Sequence, residues 1–425
     1  MKNIFIFVLM VIVLLGLAAC NQPASGQVLQ SDKPRDTSPA VNETDLATMV
    51  DGNNAFAFNL YQVLRQKESN IFYSPYSISE ALAMTYAGAR GETEKDMAEA
   101  LHLILSQDRL HPAFNSLDLQ LKQRSKGAKG KDDEGFRLHV VNAIWGQKDY
   151  KFLGEFLDVL AQNYGAGLRI LDFVNETEQS RLTINKWVSG QTEERIKDLV
   201  PQGAINQLTR LVLTNAIYFN AAWQYPFHKE ATSDGLFHLL SNDDVTVPMM
   251  KQTESFRYTE GNDYQAVELP YDGQELSKVI LLPEAGQFEA FEEILDAKFV
   301  KTIIDNLEAR EVALIMPKYE YESSSGLKEA LKTLGMDVVF TANADLSGMN
   351  GSRDLFIQDV LHKAFVSVDE AGTEAAAATA VMVGLTALPP EPVAFIMNRP
   401  FIFFIRDIQT GSIIFIGRVL NPAAK

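Results

Sequence analysis

One cysteine, Cys20, serves the whole 425-residue chain, so no internal disulfide can form and the body offers neither a thiol nucleophile nor a thiolate metal site. Histidine is sparse as well: His102, His111, His139, His228, His238 and His362 are scattered, with no close pair suited to a metal ion. Basic charge is in deficit, and the formal net charge of −17 argues against a nucleic-acid partner. A small basic group, Lys122, Arg124, Lys126, Lys129 and Lys131, precedes Asp132-Asp133-Glu134 and reads as a solvated loop, with polyanion binding as the alternative. There is no G-x-S-x-G elbow, no H-E-x-x-H and no G-x-x-x-x-G-K-[ST]. No cofactor, metal or enzymatic nucleophile is therefore expected, although serines and carboxylates are numerous enough to meet in space.

At the N-terminus, Lys2 precedes an apolar run from Ile4 to Ala19, short of the roughly 20 residues that a comfortable membrane span needs. The run ends in Leu17-Ala18-Ala19-Cys20, small residues before a cysteine, as at a signal-peptide cleavage site. The pattern resembles a bacterial lipobox. That resemblance implies that residues 1–19 are a signal peptide and that Cys20 becomes the lipidated first residue of an exported, membrane-anchored protein. An ordinary signal peptide or an uncleaved anchor is the alternative. The following residues are rich in Pro, Ser, Gln and Asp and poor in large apolar side chains, so 20–44 is expected to be a flexible tether. A single folded domain is expected over 45–425.

That body is rich enough in apolar residues to bury a large core. Asp45 can cap a helix with Phe56, Leu60, Val63 and Leu64 on one face. Ile71-Phe72-Tyr73 reads as a short strand, Ser74-Pro75 as a turn and Ile78 to Ala87 as a helix that Ser74 and Ser77 are spaced to cap. Phe136, Leu138 and Val140 lead into a strand that runs to Trp145, and Leu182 to Ile196 reads as a helix. The clearest central strand is Leu211 to Phe219, LVLTNAIYF, with Trp223 just beyond it. Asn215 inside that run must find hydrogen-bond partners or cost about 1–3 kcal/mol. Strands are expected at Val245 to Met250, Ala266 to Leu269, Lys278 to Leu282 and Val312 to Met316, and helices at Phe288 to Leu307 and Leu327 to Leu334. Strands and helices mix without βαβ regularity, which implies an α+β fold with large mixed sheets.

The stretch from His362 to Pro400 begins as a strand, with Phe365, Val366 and Val368 around Ser367 and Asp369, and changes character at Glu370. Gly372, Thr373 and Glu374 lead into four alanines, Ala375, Ala376, Ala377 and Ala378, and Pro389-Pro390-Glu391-Pro392 later bars any helix or central strand. Composition alone allows an exposed Ala-rich helix, because Ala is the best helix former. It also allows an exposed loop whose small residues slot between strands.

The wording of this stretch, HKAFVSVDEAGTEAAAATA, resembles the serpin family, as do FYSPYSIS, LTNAIYFNAAW, NRPFIFFI and IIFIGRVLNP, in the same order and over nearly all of 45–422. The resemblance implies a serpin fold with about eight or nine helices and an exposed reactive-centre loop at about 370–392. Glu370 to Ala378 would be the hinge. Ser74, Ser77, Asn215 and His362 would form the shutter behind the sheet, and Trp223 would lie at the breach. In such inhibitors a target protease forms a covalent acyl-enzyme, and the cut loop then enters the sheet as a new strand. Counting seventeen residues from Glu370, as typical inhibitory members do, puts the reactive bond at Thr386-Ala387, with Leu385-Thr386 as the runner-up. Neither carries a basic residue before the cut, so the expected target is an elastase-like or subtilisin-like serine protease. A cysteine-protease target and a non-inhibitory binding or storage protein are the alternatives. The chain is expected to be a monomer and not an enzyme.

Overall fold

A computed structural model of the chain describes residues 27–124, 126–128, 136–373 and 391–424. Cys20 and its signal peptide, Lys129, Lys131, Glu374 to Ala378, and Leu385, Thr386 and Ala387 lie outside the described residues. Thr373 is described by its backbone only.

The strand Leu211–Ala222 organises the molecule, and every residue from Leu211 to Ala221 is buried. Alternate side chains leave opposite faces of a strand, and here both faces are covered. Leu211, Leu213, Ile217, Phe219 and Ala221 enter the main core, whereas Val212 and Ala216 enter a second apolar layer with Trp145, Phe173, Ile184 and Val188. That second layer lies under the helix Thr177–Gln191 and the segment that follows it. Leu211–Ala222 pairs antiparallel with Arg137–Gln147 on one side and parallel with Ile357–Val368 on the other. The first sheet runs Gln27–Leu29, Leu168–Leu171, Arg137–Gln147, Leu211–Ala222, Ile357–Val368, Tyr319–Gly326, and Gly372–Thr373 joins it at one end of the central strand.

A nine-stranded second sheet packs against the main core, with the fully buried strands Leu276–Pro283, Phe401–Asp407 and Ile413–Val419 side by side. Between the two sheets runs the helix Pro75–Tyr86, buried along all twelve residues. Ten α-helical segments occur among the described residues, against the eight or nine expected; four of them span six residues or fewer.

Several expectations need correction. The helix expected at 182–196 spans Thr177–Gln191, and Glu193 and Glu194 adopt positive φ of 50° and 59°, which turns the chain out of helix. The helix expected over 288–307 is two, Phe288–Glu293 and Ala297–Asp305, because Asp296 caps the second through the Phe299 N–H at 2.7 Å. The strand expected at 245–250 extends over Asp244–Glu260.

The expected tether is also not free over 27–42. Gln27–Leu29 adds a strand antiparallel to Leu168–Leu171. Lys33 pairs with Asp158 at 2.7 Å, and Arg35 reaches Asn115 at 2.8 Å and Asp118 at 2.5 Å. Composition misled here because backbone pairing and ion pairs, with only Leu29 and Val41 packing on the core, hold this segment to the body.

Candidate functional site

Two polar groupings lie on the line where Leu211–Ala222 meets Ile357–Val368. The first follows from register. Asn142 stands directly opposite Asn215 in one ladder, and His362 stands opposite Asn215 in the other. Three adjacent strands thus present one polar residue each in a single row, against the buried N-terminus of the helix Pro75–Tyr86. Ser74 caps that helix by accepting from the Ser77 N–H at 3.1 Å.

Asn215 donates through Nδ2 to Ser77 Oγ at 2.5 Å and to Asn142 Oδ1, and its Oδ1 accepts from His362 Nδ1. With its proton on Nδ1, the His362 ring leaves Nε2 to accept from the Ser74 N–H at 3.4 Å. Burial drives the His362 pKa down to about 3, which keeps the ring neutral and this tautomer consistent. The structure therefore brings Ser74, Ser77, Asn215 and His362 together. It adds two residues that sequence reasoning missed, Asn142 and Glu80. Asn142 donates to Ser77 O at 3.2 Å and to Glu80 Oε2 at 2.7 Å. Asn142 was legible by the argument used for Asn215, as a lone amide inside the apolar run VVNAIW.

The second grouping surrounds Asp369 to Thr373. The parallel ladder between the two strands ends at Ala364 opposite Ile217. Gly372 and Thr373 then pair antiparallel with Ala222 and Ala221, at the far end of the same edge. A Cβ on Gly372 would stand 2.2 Å from the Ala221 carbonyl oxygen, so the strand closes this tightly only on glycine. Just before it, the Glu370 carboxylate is buried and accepts from Lys318 Nζ at 2.7 Å and Thr232 Oγ1 at 2.8 Å. Burial raises its pKa, but these two partners outweigh that and hold the carboxyl below the usual range.

Trp223 donates its indole N–H to Asp369 O at 3.0 Å and its backbone N–H to Ala371 O at 2.9 Å, and its ring stacks on Tyr271 at 4.8 Å. Lys278, fully buried beneath, donates to the Tyr319 hydroxyl at 2.8 Å with its ammonium 4.3 Å from the Phe403 ring centroid. Burial pushes its pKa well below the ordinary lysine range. Lys318, Thr232 and Lys278 carried no sequence signal beyond a lone lysine inside LSKVILLP. Among the described residues no group of three or more His, Cys, Asp or Glu could hold a metal ion.

Residues 51–422 match the family model described as serpin, serine protease inhibitor. The chain is 42% identical over 376 residues to an uncharacterised serpin-like protein from Thermococcus kodakarensis, covering 88% of this chain and 86% of that one. It is 42% identical over 381 residues to a leukocyte elastase inhibitor from Sus scrofa, covering 87% and 98%. Among solved structures it resembles uncleaved ovalbumin with a TM-score of 0.78 at 25% identity, covering 88% of this chain and 100% of that one. It also resembles human thyroxine-binding globulin complexed with thyroxine, with a TM-score of 0.79 at 29% identity, covering 89% and 100%.

Proposed function

The chain belongs to the serpin family, and from that premise we propose that it is an inhibitory member that traps a serine protease by inserting its cut loop between Leu211–Ala222 and Ile357–Val368. One observation carries the reading: Gly372 and Thr373 are already paired with Ala222 and Ala221 at the mouth of that seam. Continuing the same register sets residue 374 opposite Asn220 and residue 383 opposite Leu211. Ten further residues would then fill the length of the central strand, with Gly384 to Thr386 left to reach the protease. At ~0.5–1.5 kcal/mol net for each new ladder bond, insertion releases on the order of ten kcal/mol, before apolar burial is added.

In the chemical step the serine Oγ of the protease attacks the carbonyl carbon of Thr386. The bond to Ala387 breaks, its nitrogen leaves as an amine, and the loop becomes an ester of the enzyme. Insertion competes with hydrolysis of that ester. A small uncharged residue before the cut suits a small or medium apolar pocket, in keeping with the relatives named as elastase inhibitors. The likeness to a thyroxine-binding globulin means that the fold alone does not fix inhibition; Thr373 and the alanines at 375–378 favour it here, because bulky or charged residues there would obstruct the seam. The protein would act as a monomer, exported and lipidated on Cys20.

Mixing with pancreatic elastase tests the reading. The expected product is an SDS-stable covalent complex, with release of a C-terminal peptide that begins at Ala387. A peptide beginning at Thr386 would move the bond by one residue, and complete cleavage without complex would leave a substrate or binding protein. Failure of Cys20→Ser to abolish acyl labelling would rule out the lipid assignment.

A further inference from the structure

Residues 27–42 precede the span matched by the family model, which begins at 51, yet they are bonded to the body. Gln27–Leu29 pairs with Leu168–Leu171, Ser31 donates through Oγ to Asp158 at 2.5 Å, and the Asp36 N–H donates to Gln162 O at 2.9 Å. A Cβ on Gly167 would stand 2.7 Å from the Leu29 carbonyl oxygen, so the added strand lies this close only against glycine. The chain is thus fixed from Gln27 onward, seven peptide steps from Cys20. Fully extended, those steps reach at most roughly 25 Å. Register places the fixed point. Gln27 stands opposite Ile170, Ile170 opposite Gly146 and Gly146 opposite Leu211, four strands at one level. Gly372 pairs with Ala222, eleven residues further along the central strand and roughly 36 Å away at the strand rise. Cys20 therefore cannot reach the mouth of the seam and stays near the opposite pole.

That pole has the chemistry of an interfacial surface. The Gln147 N–H donates to Arg210 O at 2.9 Å, which brings Lys148 and Arg210 together at the strand ends. Leu208, two residues before Arg210, is 71% exposed, and Leu153, which closes the turn begun at Lys148, is 39% exposed. Phe152 folds back on Gly146, where an added Cβ would stand 3.1 Å from its ring, and its neighbour Lys151 is exposed. Asp149, Glu155 and Asp172 lie among these cations, with Asp172 3.9 Å from Lys148. The pole is thus close to neutral in a chain of net charge −17, and a large apolar side chain stands free at its tip.

We propose that this pole, Leu208 with Lys148, Lys151 and Arg210, rests on an anionic bilayer, and that the bonded segment 27–42 fixes the orientation so that the loop points away from it. Leu208 enters the boundary between headgroups and acyl chains, and the three cations lay their stems along it with their charges at the lipid phosphates. A tether free over its whole length would let the body tumble; one bonded from Gln27 does not. The orientation rests on the acylation of Cys20 proposed above, whereas the surface itself does not. Insertion as proposed above carries residue 383 to the level of Leu211, so a trapped protease arrives at this same pole and displaces it from the lipid.

Fluorescent probes on the full chain, in vesicles of phosphatidylcholine and anionic phosphatidylglycerol, test the inference. With Cys20 acylated, an introduced cysteine is the only free thiol, so Leu208→Cys and Lys229→Cys can each carry one environment-sensitive dye. Lys229 is exposed beside the mouth of the seam, where the Phe227 N–H donates to Glu370 O at 2.7 Å. Emission should shift to the blue at 208 and stay unchanged at 229; equal shifts, or a shift at 229 alone, would overturn the pole. Gly167→Val, which displaces the added strand, and the milder Arg35→Ala should lengthen the free tether and erase the contrast. Full contrast in both would overturn the role given to 27–42. If the probes differ but the parent never traps elastase, the pole stands and the inhibitory reading falls. If elastase is trapped and the probes behave alike, inhibition stands and the pole falls. Should Cys20 prove unacylated, the Leu208 probe is read in Cys20→Ser on the same vesicles. Binding with a blue shift, weakened roughly fivefold by Lys151→Gln, keeps the surface without the anchor, and no shift removes both.

Discussion

At the scale of single residues, the site is governed by groups whose charge the fold suppresses or pairs. Glu80 holds its proton up to about pH 8 when folded, against an ordinary value of 4.5 when unfolded. The folded state therefore binds more protons between those values, and this group's contribution to stability falls as pH rises through that window. His362 and His111 act oppositely, pushed down to about 3 and about 4 by burial, so their contribution is lost as pH falls from 6.5. The melting temperature of Glu80→Gln should stay level between about pH 6.5 and pH 8, where that of the parent declines. Parallel curves for the two proteins would show that Glu80 is not the titrating group. Lys318→Ala strips Glu370 of its ammonium partner and should destabilise by about 1–3 kcal/mol, the cost of a buried acceptor left short; equilibrium unfolding in urea measures it, and an unchanged midpoint would sink the assignment.

At the scale of elements, the orientation expected of the proposed hinge follows from the pairing of Gly372 and Thr373. Directly opposed residues of an antiparallel pair share a face, and Ala221, Phe219 and Ile217 all face the main core. Thr373, Ala375 and Ala377 should accordingly turn inward on insertion, and Glu374 outward. Thr373→Arg would bury an unpaired cation and slow insertion, so the variant should be cut after Thr386 yet yield little stable complex. Glu374→Arg should retain most of its trapping. Equal trapping by Thr373→Arg and the parent would contradict the register.

Elements differ in how far their sequences reveal them. Leu211–Ala222 was legible because both its faces are buried and its run is uninterrupted apart from Thr214, Asn215 and Asn220. Asn215 was legible as a polar residue in an apolar strand, whereas His362 was placed beside it only by the family resemblance. Tyr319–Gly326 was not, because EYESSSG shows water one face and lacks β-branched residues. Lys318 and Thr232 were invisible because they meet Glu370 only through the fold, 52 and 138 positions away in sequence. The segment 27–42 was misread because ion pairs and edge pairing leave no apolar pattern.

At the scale of the whole molecule, an inhibitory mechanism requires the intact protein to be a state that has not yet reached its most stable arrangement. With Gln27 already on the sheet, a lipidated Cys20 would lie seven peptide steps away, at most roughly 25 Å when fully extended, so the body would sit close to its membrane. More centrally, the seam between Leu211–Ala222 and Ile357–Val368 would have a strand's worth of bonding still to gain. The direct test is to cut the loop near Thr386 with a protease that is not trapped, then melt the cut and intact proteins side by side. A gain on the order of ten kcal/mol in a domain of this size predicts a rise in melting temperature of at least about 10 °C on cleavage. A cut form that melts at or below the intact one would mean that the loop does not enter the sheet.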